Sequence, residues 1–221
     1  NDRVNKDFSY NASINFATNS NEVTRIANDN HYINGPGGVL SQGTEYIYRA
    51  EEGKPIGYFY GMSYSGIWQN YEQIEAARQS GKAVLDDAMP GDCIWDDWNG
   101  DGVITYAEGA ACDRHEIGNP NRDVMLGVNL GLQYKGFDFA VNGAGAFGMQ
   151  IMRSYRSFSD APYQNYDTTI FNRWYGEGTS NSQPRISSTG HSNTNWVSTR
   201  YMEDADYFKI KTITLGYDFK K

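Results

Sequence analysis

The stretch Leu126-Gly-Val-Asn-Leu-Gly-Leu-Gln-Tyr134-Lys-Gly-Phe-Asp-Phe-Ala-Val-Asn142 decides the fold. Apolar residues alternate with small or polar residues as far as Tyr134, and the alternation resumes at Phe137. A period of two is the pattern of a β-strand with one apolar face. Lys135-Gly136 is a tight connection between the two runs. The stretch therefore predicts two antiparallel strands joined as a hairpin.

Two further runs of the chain have the same alternation. Residues 8–16 and residues 207–219 each predict a strand, and Ile213, Leu215 and Tyr217 fall on one face of the second. The predicted strands are about 9–13 residues long, whereas a tilted membrane-spanning strand needs about 9–11 and a globular strand more often has about 5–6. Their length therefore favours strands that cross a membrane.

Aromatic residues near the strand ends support a membrane protein. Tyr10, Tyr134, Tyr217 and Phe219 fit an aromatic girdle at a lipid–water interface. The predicted fold is all-β: an antiparallel transmembrane β-barrel segment with long extracellular loops and one short loop helix. A soluble β-sandwich would have the same alternation, so the pattern leaves that alternative open.

Composition narrows the functional classes. The chain has 221 residues and a formal net charge of −8. Such an acidic chain repels phosphate backbones, which argues against a nucleic-acid partner. The sequence contains no apolar run of about 18 residues, so no transmembrane helix is expected. It begins with polar residues rather than a signal peptide, which is typical of a mature or excised fragment.

Between the long strands, the pattern predicts shorter elements. Short strands are expected at residues 46–48 and 58–60, and the pattern allows another to begin at residues 23–26. A short helix is expected over residues 71–79, with Asn70 as its N-cap. Residues 159–195 are polar and aromatic, and we interpret them as a long loop.

The segment at residues 90–120 contains a calcium-binding pattern. Residues 97–108 match the EF-hand loop, which brings alternate oxygen ligands together around one ion. The expected Ca²⁺ ligands are Asp97, Asn99, Asp101, the carbonyl of Val103, Thr105 and Glu108. Ile104 is expected to anchor the loop through its side chain, and the flanks indicate a rigid surface loop rather than a switch. The alternative is an acidic turn that binds nothing.

The chain has two cysteines, Cys93 and Cys112, which bracket the acidic loop. A disulfide between them would stabilise the fold by about 3 kcal/mol in the chain-entropy model. Two unconnected thiols are equally compatible with the sequence.

Other functional motifs are weaker. Several loop aromatics are candidates for contact with a sugar or a peptide, or alternatively belong to the loop core: Tyr60, Trp68, Tyr163, Trp174 and Trp196. Residues 143–148 spell GxGxxG, but a dinucleotide site needs a parallel sheet around that motif. No arrangement of catalytic residues is recognisable, so the chain is predicted not to be an enzyme.

Six segments, in order, resemble the C-terminal third of the SusC/RagA family of TonB-dependent transporters. They are Gly53-Lys-Pro-Ile-Gly-Tyr-Phe-Tyr-Gly61, Gly66-Ile-Trp-Gln69, Pro90-Gly-Asp92 with the loop after it, Ile117-Gly-Asn-Pro120, Asn181-Ser-Gln-Pro184 and Lys209-Ile-Lys-Thr-Ile-Thr-Leu-Gly-Tyr217. The segments span nearly the whole chain. Asn121-Arg122 departs from the family pattern, which has a proline before a basic residue.

The resemblance implies that residues 1–221 are the C-terminal part of a 22-stranded outer-membrane barrel. It also implies a plug domain pulled by the TonB complex and a SusD-like surface lipoprotein that captures oligosaccharides or peptides. In that setting residues 90–120 form an extracellular insert.

The rival interpretation is a secreted, calcium-stabilised β-domain that acts as an adhesin or carbohydrate-binding module. A glycan-degrading enzyme domain is a third, and it would need two carboxylates in a cleft.

Overall fold

The computed structural model describes residues 2–38, 46–153, 166, 168–187 and 191–219, with only the backbone of residues 2 and 3. Most of the secondary structure is β. The strands in chain order are β1 (Asp2–Arg3), β2 (Phe8–Thr18), β3 (Tyr32–Asn34), β4 (Tyr48–Glu51), β5 (Tyr58–Gly61), β6 (Tyr64–Ile67), β7 (Cys93–Trp95), β8 (His115–Gly118), β9 (Val124–Tyr134), β10 (Phe137–Phe147), β11 (Gln150–Met152), β12 (Met202–Asp204) and β13 (Tyr207–Tyr217). The helices are α1 (Tyr71–Gln79), α2 (Ser192–Asn195) and two 3₁₀ turns, Thr168–Asn172 and Thr199–Tyr201.

The chain divides into two compact units. The sheet unit comprises Asn1–Glu22, Pro120–Ile151 and Asp204–Lys221, and the loop unit comprises Val23–Asn119 and Met152–Glu203. The loop unit is therefore built from two long connections that interrupt the sheet unit in sequence. The segment at residues 90–120, expected to be an insert of its own, lies in this larger unit up to Asn119.

The sheet unit contains a five-stranded antiparallel sheet in the order β1-β2-β9-β10-β13. Spatial order follows sequence order, so the sheet is a meander. Residues 4–7 and residues 135–136 are short connections, whereas residues 19–123 and 148–206 are long ones. Antiparallel strands alternate in direction, which places the short connections at one end of the sheet and the long ones at the other.

Alternation along the strands separates the sheet into two faces. The apolar face is continuous across four strands, because the register aligns Ala12, Leu130, Val141 and Ile213 in one row. The large apolar residues on this face are Phe8, Tyr10, Ile14, Phe16, Val124, Leu126, Val128, Leu130, Leu132, Tyr134, Phe137, Phe139, Val141, Phe147, Phe208, Ile210, Ile213, Leu215 and Tyr217.

The opposite face is polar. Its cross-strand pairs include Ser9 with Gln133 and Ser13 with Asn129, whose side chains are hydrogen-bonded at 3.1 Å in each pair. The side chain of Asn11 lies over Gly131, where a Cβ would collide with it. The sheet is therefore apolar on one side and polar on the other.

The predicted long strands are confirmed. The hairpin forms β9 and β10, and Lys135 and Gly136 have φ of 46° and 91°. Positive φ at both central residues is the geometry of the type I′ hairpin turn. The register of β10 and β13 shifts between Asn142 and Gly143, a bulge that the alternation did not predict.

The loop unit contains a four-stranded sheet, β3-β4-β5-β8, and a two-stranded sheet, β6-β7. The two connections meet where the N–H of Met62 donates to Val197 and that of Thr199 donates to Met62, at 2.9 and 3.0 Å. Buried apolar residues form three clusters: Ile47, Phe59, Ile117, Met152, Val197 and Tyr201; Met62, Ala83, Cys93, Trp95 and Ile104; and Trp68, Ile74 and Ile94.

The predicted helix is confirmed over Tyr71–Gln79. The Asn70 side chain accepts the N–H of Gln73 at 2.8 Å, and the Gln73 side chain accepts the N–H of Gln69 at 2.8 Å. Gly81, with φ of 79°, follows the helix end.

The shorter strand predictions had mixed outcomes. The strand expected at residues 58–60 forms, while the one expected at residues 46–48 begins only at Tyr48. The prediction of a strand at residues 23–26 is wrong. Val23 lies in a loop, where its N–H donates to the carbonyl of Lys54 and its carbonyl accepts the N–H of Gly53, both at 2.9 Å.

No helix within the described ranges combines the length and the apolarity needed to cross a bilayer.

Candidate functional site

The acidic loop folds around the side chain of Asp97. Its carboxylate accepts the N–H of Gly100 at 2.7 Å and that of Gly102 at 2.8 Å. Asn99 Oδ1 accepts the N–H of Asp101 at 2.8 Å, and Gly102 adopts φ of 88°. The first half of the predicted loop therefore closes as a tight turn, with Gly102 at its sharpest position.

Ile104 and Asp113 fasten this turn to the loop unit. Ile104 is buried beside Met62, as the motif predicted for an anchoring side chain. Asp113 is fully buried, and its carboxylate accepts the N–H of Trp98 at 2.9 Å and that of Thr105 at 2.6 Å. Sequence reasoning missed Asp113, because it lies outside the twelve-residue pattern and no local signal marks it.

Glu108, the expected twelfth-position ligand, lies in a different cluster. Its Oε1 accepts from Tyr46 Oη and Arg49 Nη2, each at 2.5 Å, and from Arg114 Nη2 at 2.9 Å. Burial of Tyr46, together with its hydrogen bond to Glu108, raises the pKa of that phenol. Within the described residues, no three His, Cys, Asp or Glu side chains converge as a metal ion would need. Calcium binding therefore stays a prediction.

Both cysteines are free thiols in the structure. Cys93 is buried in the cluster with Trp95, and burial raises the pKa of its thiol to about 12. Cys112 Sγ instead lies 3.6 Å from Tyr60 Oη and 3.7 Å from the carbonyl of Tyr106. The two side chains thus pack against different neighbours.

A buried ionic cluster forms at the Pro90-Gly-Asp92 segment. Asp92 is 3% exposed, and its carboxylate accepts from Asn193 Nδ2 at 2.8 Å and pairs with Arg185 Nε at 2.7 Å. Asn193 Oδ1 in turn accepts the N–H of Cys93 at 2.8 Å. These contacts join the first long connection to the second, so Asp92 holds the loop unit together.

The predicted ligand-contacting aromatics lie mainly in the loop core. Tyr60 and Trp68 are each 4% exposed, so neither presents a free ring face. Trp174 and Trp196 are half-buried: Trp174 Nε1 donates to Gln69, and the ring of Trp196 stacks on that of Tyr106. Tyr163 lies outside the described residues.

An aromatic residue that the sequence analysis did not select is exposed instead. Trp98 is 62% exposed and stacks face to face on His115, with ring centroids 3.6 Å apart and planes inclined by 5°. Both rings line a cavity of about 440 Å³. As the second residue of the acidic loop, Trp98 has no role in the metal pattern, which is why the motif gave no signal for it.

Comparison with known sequences gives relatives over nearly the whole chain. No family model matches. The TonB-dependent receptor P3 of Formosa agariphila is 29% identical over 218 residues, covering 97% of this chain and 20% of that protein. The TonB-dependent receptor SusC of Bacteroides thetaiotaomicron is 25% identical over 219 residues, covering 98% of this chain and 19% of that protein. The chain thus spans about a fifth of the length of the curated relatives it matches.

Comparison with solved structures gives a match in fold. The chain matches the structure of the RagAB peptide transporter with a TM-score of 0.65 and 21% sequence identity, covering 97% of this chain and 21% of that chain. At this identity the match shows the fold alone. The names of the curated relatives are those of receptors rather than enzymes, which is consistent with a chain that has no enzymatic activity.

Proposed function

Since this chain is a C-terminal part of a SusC/RagA-like TonB-dependent receptor, we propose that it forms part of the wall of an outer-membrane β-barrel that imports nutrients. The single observation that carries this proposal is the continuous apolar face of the five-stranded sheet. Ile14, Ile213 and Leu215 on that face are 72%, 64% and 74% exposed. A soluble protein rarely leaves a patch of this kind uncovered, whereas a membrane strand directs it into lipid.

The features of the two sheet ends support the same assignment. Phe8, Tyr134, Phe137 and Tyr217 lie in one row at the end with the short connections. Aromatic girdles occupy such rows at the lipid–water interface, and barrels have short turns on the periplasmic side and longer loops outside. The loop unit, formed by the two long connections, would then face the extracellular side.

The complete receptor is part of the proposal. The five described strands do not close on themselves, and an open sheet edge is not stable within lipid. We infer that other strands of the same receptor complete a barrel of 22 strands around a plug that the TonB complex pulls. A SusD-like lipoprotein would deliver an oligosaccharide or a peptide to the extracellular loops.

Uptake in cells tests this function. The full-length receptor is expected in the outer-membrane fraction, and its deletion should abolish growth on one member of a panel of glycans and peptides supplied as sole carbon source. Loss of the TonB complex should have the same effect as the deletion, since import depends on it. A receptor found in the soluble fraction, or growth that persists without it on every source, would contradict the proposal.

Calcium binding is a separate part of the proposal. Asp97, Asn99 and Asp101 would supply oxygen ligands, with Thr105 and the backbone carbonyl of Val103 beside them. Glu108 would first have to leave Arg49 and Arg114, to which it is bonded at 2.5 and 2.9 Å. The proposal therefore rests on the first half of the loop, and Glu108 does not contribute in this conformation.

Thermal stability with and without Ca²⁺ tests the site. A ligand at about 100 times its Kd stabilises the folded state by about 2.7 kcal/mol, so Ca²⁺ should raise the melting temperature of the loop unit. The double variant Asp97→Asn with Asp101→Asn should lose this response. Glu108→Gln should keep it if Glu108 stays with the arginines and should lose it if Glu108 is a ligand. A wild type whose melting temperature ignores Ca²⁺ would rule the site out.

A further inference from the structure

Trp98 is held in a fixed orientation by its surroundings. The backbone N–H of Trp98 donates to the buried carboxylate of Asp113 at 2.9 Å, and the indole ring lies flat on His115. His115 is itself fixed, because Nδ1 contacts the carbonyl of Asp113 at 2.9 Å and Nε2 contacts Ser63 Oγ at 3.0 Å. One face of the indole is thus covered by imidazole, and the exposure of the residue leaves the other face available.

Burial favours the uncharged form of His115 in this stack. Burial lowers the pKa of His115, although the carbonyl of Asp113 opposes that shift. A neutral imidazole with Nδ1–H donated to the carbonyl accepts from Ser63 at Nε2. Trp98 therefore rests on a neutral aromatic ring. Because both rings are already held by their neighbours, the stack needs no rearrangement before a ligand binds. Such preorganisation lowers the entropic cost of binding.

The charged groups around the cavity are paired with one another. Lys54 Nζ lies 3.1 Å from Glu116 Oε2, and Tyr58 Oη donates to Glu51 Oε2 at 2.5 Å. The two arginines that line the cavity, Arg49 and Arg114, both bind Glu108. An ionic ligand would have to break one of these pairs. A neutral ligand with many hydroxyl groups could share the same donors and acceptors without doing so.

From this geometry we propose that the cavity beside Trp98 binds a neutral saccharide, with the free face of Trp98 as its stacking platform. The C–H face of a pyranose ring covers an indole, and its hydroxyls can reach Glu51, Lys54 and Glu116 at the cavity wall. A cavity of about 440 Å³ is within the range of small-molecule sites, roughly 300–1,000 Å³. The inference rests on the proposed function and names its substrate class.

Direct binding tests the platform in the full-length, detergent-solubilised receptor. The probes are neutral hexasaccharides of glucose, mannose, galactose and xylose, and a pool of unstructured peptides, measured by isothermal titration calorimetry. At least one hexasaccharide should bind, and Trp98→Ala should weaken it roughly 10-fold or more through the loss of stacking and buried area. Trp98→Tyr, which keeps an aromatic ring, should recover part of the affinity.

The matched control is Tyr175→Ala. Tyr175 is 71% exposed and does not line the cavity, so this substitution should leave the affinity unchanged. Equal binding by the wild type and Trp98→Ala would overturn the proposal. So would a receptor that binds no hexasaccharide, or one that binds only peptides. None of these outcomes affects membrane insertion or TonB-dependent growth, so failure of the inference is distinguishable from failure of the proposed function.

Discussion

The Ile213→Arg substitution is expected to destabilise the membrane-inserted receptor by about 2–4 kcal/mol, the cost of an arginine on the lipid face at the bilayer midplane. Ile213 is in the central row of the sheet, opposite Val141, and its side chain is 64% exposed on the apolar face. In lipid, arginine at this position loses its hydration without gaining a partner. Reversible folding into phospholipid vesicles, followed by urea titration, measures the change.

The adjacent residue provides the control for this experiment. Thr214 pairs with Ala140 and lies on the polar face, so Thr214→Arg should stay hydrated and cost less than about 1 kcal/mol. The difference between neighbouring positions removes effects of strand propensity. Equal losses at the two positions would mean that the apolar face does not contact lipid.

The Asp92→Ala substitution is expected to open the loop unit, with a loss of about 3–5 kcal/mol of local stability. Asp92 is nearly fully buried, and its removal leaves Arg185 and Asn193 without the carboxylate that they share. Their contacts with Asp92 join segments 93 and 101 residues apart in the sequence. The two long connections should therefore separate more easily.

Limited proteolysis of the receptor in detergent measures this opening, because cleavage follows the population of the open form when closing is fast. The cleavage rate within the loop unit should rise roughly 100-fold or more for Asp92→Ala. Asp87→Ala removes an exposed carboxylate from the same connection and should change the stability by no more than about 0.5 kcal/mol. A cleavage rate for Asp92→Ala that matches that of Asp87→Ala would show that the cluster is not needed to hold the connections together.

The sheet unit was largely predictable from sequence. A strand with one face toward lipid and the other toward water has a two-residue period. β2, β9 and β10 carry it throughout, whereas the apolar residues of β13 change phase between Ile210 and Ile213. Helix α1 was predictable because its cap is local: Asn70 and Gln73 are only three residues apart. The bulge opposite Gly143 was missed because the face of β13 was assigned from Ile213, Leu215 and Tyr217 alone, although the three-residue step from Ile210 to Ile213 marks it.

The loop unit was less predictable, because its order depends on distant contacts. All four residues of β5 are buried, so this strand shows no alternation and was predicted from its aromatic residues alone. The EF-hand spacing selected Glu108, yet spacing says nothing about Arg49, which lies 59 residues away and binds the carboxylate. The same limitation applies to Trp98, whose importance depends on His115 beneath it rather than on the loop motif.

Lipid accessibility at two adjacent residues tests the central claim most directly. A nitroxide attached to Ile213→Cys or Thr214→Cys is measured in vesicles that contain the full-length receptor, in a Cys112→Ser background. The buried Cys93 thiol, with its pKa raised to about 12, should not react with the label. Position 213 should be accessible to oxygen and protected from a water-soluble nickel complex, and position 214 should show the reverse. Protection of position 213 from both reagents would place the apolar face in a dry protein core and contradict the account.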